Sequence, residues 1–233
     1  MKLLAFELAT EGCSVALWLD GEVRERFELA PRRHAELALP WAEDLLRDAG
    51  VRRNELDAIA VGRGPGAFTG VRLAIAVAQG IALALDRPVV PVSTLAALAL
   101  QANAPRVLAA IDARMDEVYV AAFERRGDDV VLLDRERVAR PDAVGLPGEA
   151  NDWAGIGTGF GAVDGTLQRT LGSRFARIDA SALPHAADIA RLGALAFQRG
   201  EGVAPERAEP AYLRDNVALT LAEQEANRAA KRK

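Results

Sequence analysis

The segment Leu3-Leu4-Ala5-Phe6-Glu7-Leu8-Ala9-Thr10 returns later in the chain as Val107-Leu108-Ala109-Ala110-Ile111-Asp112-Ala113-Arg114. Each copy is a short apolar run of strand character with an acid near its end, Glu7 in the first and Asp112 in the second. The flanking sequence repeats too. Ser14 to Leu19 and Val118 to Phe123 read as second strands, and Asp20-Gly21 and Gly127-Asp128-Asp129 as hairpin turns. Glu22 to Leu29 and Val130 to Leu133 complete the sets. In the former, Val23, Phe27 and Leu29 alternate with charges, as in a strand wet on one face. A repeated three-strand unit followed by helices predicts an α/β protein of two similar lobes facing one another. Ala104-Pro105 marks the boundary, giving an N-terminal lobe over residues 1–103 and a smaller, less regular C-terminal lobe over 104–233.

Helical periodicity fills the rest of the first lobe. Between Arg33 and Ala49, Leu37, Trp41 and Leu45 recur every four residues beside Ala38, Ala42 and Leu46, and Gly50 ends the pattern. Pro40 removes one backbone donor there and predicts a kink. Ala58 to Val61 reads as a buried strand, Val71 to Leu85 as a helix and Pro88 to Val92 as a strand. Thr94 to Gln101 is a further helix capped by Ser93 or Thr94. In the second lobe Trp153 to Gly157 reads as a strand, Gly157 to Gly161 as a loop and Ala186 to Arg199 as a helix. A terminal helix is expected from Val217, and the basic tail Arg228 to Lys233 reads as a solvated end able to touch nucleic acid only weakly.

Composition narrows the function classes. Of 233 residues half are hydrophobic, enough for a substantial core, and the net charge of −4 argues against a chain that grips nucleic acid by itself. One cysteine, Cys13, gives no disulfide framework and reads as a small buried hydrophobe. His34 and His185 are isolated and read as capping or packing residues rather than ligands. The start of the chain lacks the regions of a signal peptide, and no uncharged apolar run reaches the ~20 residues of a membrane span, so a soluble cytoplasmic protein is expected.

Two features carry chemistry or contacts. Gly62-Arg63-Gly64-Pro65-Gly66-Ala67-Phe68-Thr69-Gly70 packs four glycines and a proline into nine residues between a strand and a helix. Such a loop either aims helix N–H groups at a phosphate or lets two elements pack closely. It matches neither the lysine-bearing phosphate loop nor the dinucleotide fingerprint. Glu7 and Asp112 are placed either to hold magnesium between the lobes or to be satisfied by loop amides. The hydroxyls of Thr10, Ser14 and Thr69 have no base nearby in sequence, so no nucleophile is assigned and a peptidase is unsupported. The helix Val71 to Leu85 carries Arg72 as its one charge and Gln79 as its one other polar side chain. Ala74, Ala78 and Ala82 make a small-residue stripe beside Leu73, Val77 and Ile81. A helix apolar all round is covered on every side, by its own chain or by a partner, and a protein contact through it and Glu36 to Leu46 is expected.

The opening Leu4 to Thr10, Cys13 to Trp18, the glycine loop to Arg72, Ile111 to Tyr119 and Ala208 to Arg214 resemble the TsaB family. These are bacterial tRNA threonylcarbamoyladenosine biosynthesis proteins, once grouped with glycoprotease-like proteins, and the similarity covers nearly the whole chain. The resemblance implies a two-lobed actin-like fold of the sugar-kinase and heat-shock-protein superfamily, each lobe built on an RNase H-like mixed sheet. It implies a part in placing threonylcarbamoyl on the adenosine beside the anticodon of tRNAs that read codons beginning with A. In that family the related subunit TsaD holds a metal and carries out the transfer, and TsaE, a small ATPase, joins the pair.

Family members self-associate through the two apolar helices, and the same surface docks onto TsaD. The interface residues implied are Leu37, Trp41, Leu45, Leu73, Ala74, Val77, Ala78, Ile81 and Ala82. Contact with tRNA is implied to be indirect. If ATP or ADP with magnesium binds, at the interlobe cleft or the subunit interface, the implied contacts are Glu7, Thr10, Gly64, Gly66, Thr69 and Asp112. Two departures matter: the first strand ends in Glu7 where the family has Asp, and the paired metal-binding histidines of TsaD have no counterpart after His34. Both favour a partner subunit. The competing reading is an independent ATP-dependent phosphotransferase or hydrolase of the same fold.

Overall fold

The computed structural model describes residues 1–214. The first sheet contains β1 (Lys2–Glu7), β2 (Gly12–Leu19), β3 (Glu22–Leu29), β4 (Ala58–Gly62) and β5 (Val89–Val92), in the order β3-β2-β1-β4-β5. The hairpins make the first three strands antiparallel, and β4 and β5 add in parallel after helical crossovers. The second sheet repeats this plan. Its strands are β6 (Arg106–Arg114), β7 (Glu117–Arg126), β8 (Asp129–Leu132), β10 (Trp153–Ile156) and β11 (Phe175–Asp179), ordered β11-β10-β6-β7-β8, with β9 (Arg137–Ala139) also on β7. β6, β7 and β8 are antiparallel, while β10 and β11 run parallel to β6. This is the two-lobed actin-like arrangement of two RNase H-like sheets.

Side-chain size sorts the faces of the first sheet. Leu4, Phe6, Val15, Leu17, Ile59 and Val61 point to one side, where α1 (His34–Asp48) and α2 (Phe68–Leu85) pack with Ala38, Ala42, Leu45, Ala74, Ala78 and Ala82. The other side carries Leu3 and the small Ala5, Ala16, Ala58 and Ala60. Small residues there let α5 (Ala186–Gln198) come close: a Cβ on Gly193 would lie 2.7 Å from that of Ala60. α3 (Thr94–Gln101) sits between the sheets. Leu95 and Leu98 cover β6 and β10, while Ala97 and Leu100 join the core under α5. α4 (Ala162–Leu171) closes the outer face of the second sheet, with Leu167 against Trp153 and Phe160.

Several expectations need correction. A division at residues 103 and 104 separates the sheets, but the chain does not stay in the second lobe: α5 packs on the first sheet, and Val203 bridges Val89. α2 begins at Phe68 rather than Val71, so Thr69 and Gly70 lie in its first turn. α1 holds Pro40, where a kink is expected, inside one continuous helix. β9, β11 and α4 have no counterpart in the sequence reading, since their apolar patterns are short. The helix expected from Val217 and the basic tail lie outside the described residues.

Candidate functional site

The glycine loop leaves β4 and enters α2 against the backbone that follows β1. A Cβ on Gly66 would lie 2.4 Å from the carbonyl oxygen of Ala9, and one on Gly70 only 2.0 Å from that of Leu8. Gly64 takes φ +88°, a region disfavoured for residues with a Cβ. The amide of Ala67, a donor a phosphate would need, is given to the Ala9 carbonyl at 2.7 Å. The glycines therefore serve close backbone approach, the second of the two readings.

Glu7 is fully buried at the end of β1. Its Oε1 accepts the Ala9 amide at 2.7 Å and its Oε2 accepts the Thr94 hydroxyl at 2.8 Å. Burial pushes its carboxyl up to about 7 against the pull of these hydrogen bonds. Gly62 makes room for it, since a Cβ there would lie 2.1 Å from Oε2. Asp112 is held within its own turn, accepting the Arg114 amide at 2.8 Å and the Arg114 guanidinium at 3.0 Å. The Thr10 hydroxyl accepts the Gly12 amide, and Thr69 is exposed on α2. Of the two acids implied for a magnesium nucleotide, Glu7 is fully buried with both oxygens hydrogen-bonded, and Asp112 is paired within its own turn. Among the described residues no group of three or more His, Cys, Asp or Glu could hold a metal ion.

The two histidines are structural. His34 Nε2 lies 3.0 Å from the Thr10 carbonyl. His185 stacks on Phe27 and meets Glu25 at 3.0 Å. Glu25 also accepts the Ser14 hydroxyl at 2.6 Å and the Ala187 amide at 3.0 Å, so residues of β2 and β3 cap the start of α5. Burial works against the Glu25 charge, but its three hydrogen bonds outweigh it and hold the carboxyl below its ordinary range. The bond to Glu25 raises His185 in return. Burial pushes the Cys13 thiol up to about 11, which leaves it inert.

The expected docking face divides. Ala74, Ala78, Ala82 and Leu45 are buried against the first sheet and between the two helices, so they face no partner. Half-buried Leu37, Trp41, Leu73, Val77 and Ile81 line the outer side, with Phe68 58% and Leu83 63% exposed. By length and composition α2 is apolar enough to cross a membrane, with mean hydropathy 1.7 over 18 residues, yet its alanine stripe is a layer of the core. The chain covers one flank itself. Gln79 donates to the carbonyls of Pro205 and Ala208, and Arg72 donates to the Tyr212 hydroxyl at 2.8 Å. The sequence reading missed this strap because nothing local links Tyr212 to Arg72.

A family model described as "TsaD: tRNA N6-adenosine threonylcarbamoyltransferase" matches residues 28–221. The tRNA threonylcarbamoyladenosine biosynthesis protein TsaB of Escherichia coli (strain K12) is 43% identical over 226 residues, 94% of this chain and 96% of its own length. That of Haemophilus influenzae is 36% identical over 230 residues, 93% and 95% of the two chains. A crystal structure of a Pseudomonas aeruginosa protein, described as uncharacterized with similarity to peptidase YEAZ, shares the fold with a TM-score of 0.86. It is 49% identical, with 91% of this chain and 99% of that one covered. Likeness of sequence and fold over nearly the full length therefore agree, and the chain belongs to the TsaB family of tRNA threonylcarbamoyladenosine biosynthesis proteins.

Proposed function

We propose that this chain takes part in tRNA threonylcarbamoyladenosine synthesis as a non-catalytic subunit that activates the catalytic homologue TsaD by docking through α1 and α2. The observation that carries this reading is the outer face of α2. Phe68 and Leu83 stand in water on a helix whose one charge is Arg72, beside Leu73, Val77 and Ile81. Apolar side chains gathered on the outer side of one helix suit an interface. The family membership points to a homologue of the same fold as the occupant, and the local satisfaction of Glu7 and Asp112 supports a role without chemistry of its own. On the same reading TsaE joins the pair, two copies of this chain use the face when the homologue is absent, tRNA is held by the partner, and the complex works in the cytoplasm.

The test is reconstitution of tRNA modification from TsaD, TsaE and the enzyme that forms threonylcarbamoyl-adenylate, with product read by mass spectrometry. Product that requires both this chain and TsaD is the expected result. Equal product without this chain would overturn the proposal.

A further inference from the structure

Arg63 is where three parts of the fold meet. Its amide donates to the Val92 carbonyl at 2.8 Å, and its carbonyl accepts the Ala211 amide at 2.8 Å. Its Nη2 donates to Glu136 Oε2 at 2.9 Å. Glu136 belongs to the second lobe, in the turn between β8 and β9. Its other oxygen accepts the hydroxyl of Ser93, which itself caps α3 by accepting the Ala96 amide. The Glu136 side chain is 8% exposed, so its charge depends on these two partners in place of water.

Both routes out of Arg63 lead to the first turn of α2. Along the chain, the glycine loop ends at Ala67, the N-cap of α2. Along the strap, Ala211 sets Tyr212, whose hydroxyl holds Arg72. The Arg72 guanidinium in turn lies 3.3 Å over the ring of Phe68. Phe68 is one of the exposed apolar residues of the docking face. A carboxylate of the second lobe therefore holds the residue on which the near end of that face is hung.

We propose that Glu136 is a positioning residue for docking: by clamping Arg63 and Ser93 it fixes the first turn of α2 in the arrangement the catalytic homologue binds. This rests on the docking reading above. Glu136 acts through Arg63, and the partner has almost no access to its side chain.

The test measures affinity of the full-length chain for TsaD by calorimetry, together with amide exchange of residues 64–72 in the free chain. Glu136→Ala is expected to lower affinity about 2- to 30-fold, the span of such remote couplings, and to speed that exchange. Arg63→Ala should do the same, and the double variant should be no worse than the weaker single one, as for groups acting through one another. Glu136→Gln keeps an acceptor oxygen for Arg63, and its amide nitrogen can donate to Ser93 Oγ in the reverse sense, so it should restore most of the affinity. If Glu136→Ala proves unfolded, Arg63→Ala carries the comparison, and unchanged affinity or unchanged exchange of residues 64–72 in that variant overturns the proposal. Leu83→Glu separates the two ideas. Lost binding in Leu83→Glu with wild-type binding in the Glu136 and Arg63 variants overturns the positioning role alone. Wild-type binding in Leu83→Glu overturns the docking reading itself.

Discussion

The Thr94 hydroxyl donates to Oε2 of Glu7 at 2.8 Å, tying the end of β1 to the first turn of α3 inside the protein. A strand-end acid that might face an ion is thereby turned into a strut. The extra methylene of Glu over Asp carries the carboxyl across Gly62, the residue whose missing side chain accommodates it. Its neighbours satisfy both oxygens, and the charge itself remains costly because full burial outweighs these hydrogen bonds and the pull of the His185 charge.

That cost has a sign in pH. In the unfolded chain Glu7 titrates near its ordinary 4.5, whereas in the folded protein burial raises it to about 7. The folded state therefore holds the extra proton between these values. The stabilisation is complete below the lower value and is lost as pH rises through the upper one. Glu7→Gln should remove the dependence, and wild type should lose about 1–3 kcal/mol relative to it between about pH 5 and about pH 8. Urea unfolding of both proteins at the two pH values checks this. A constant difference between them would mean that Glu7 stays ionised throughout.

Substitutions on α2 should separate its two sides. Ala78 is 0% exposed against the sheet, so Ala78→Glu buries an unpaired carboxylate and should cost about 4 kcal/mol or more, a large part of a domain's stability. Leu83→Glu lies in water and should change stability by less than about 0.5 kcal/mol. It should nevertheless weaken association with TsaD about tenfold or more. Thermal unfolding and calorimetry together read both effects. A folded, stable Ala78→Glu protein would contradict the packing described.

Two glycines of the same helix should respond in opposite directions. Gly80 has nothing within 4 Å of an added Cβ, so Gly80→Ala should stabilise the helix by about 0.5–1 kcal/mol. Gly70→Ala would drive its Cβ to 2.0 Å from the Leu8 carbonyl and should destabilise by about 1–3 kcal/mol as the loop is forced away. Differential scanning calorimetry gives the shifts. Similar effects from the two changes would argue against close approach as the reason for the loop's glycines.

Much of the architecture is legible along the chain. The repeated apolar runs at Leu3 and Val107, each followed by a hairpin, lead directly to two sheets of the same strand order. Glu22–Leu29 and Thr94–Gln101 have the same bounds in the sequence reading and in the structure. The apolar helix was legible as an element needing cover, because a single charge among so many aliphatic residues is visible without coordinates. The site was less legible. Glu136, Tyr212 and the Glu25 cap of α5 act on residues far away in sequence, at separations of 73, 140 and 162 positions, and no local pattern announces such pairs.

By itself the sequence determined the two-lobed class, the order of most elements and the family, because periodicity and motif spacing are properties of neighbouring residues. Only the tertiary structure decided which side of α2 is free and that α5 belongs to the first lobe. The same is true of Glu7 as an internal strut and of the glycine loop as a close crossover. Those outcomes depend on which surfaces meet: the small alanines of the first sheet admit α5, and the space over Gly62 receives the Glu7 carboxyl. Burial is a sum over residues brought together by folding, and it is burial that separates a ligand from a strut and an interface from a core.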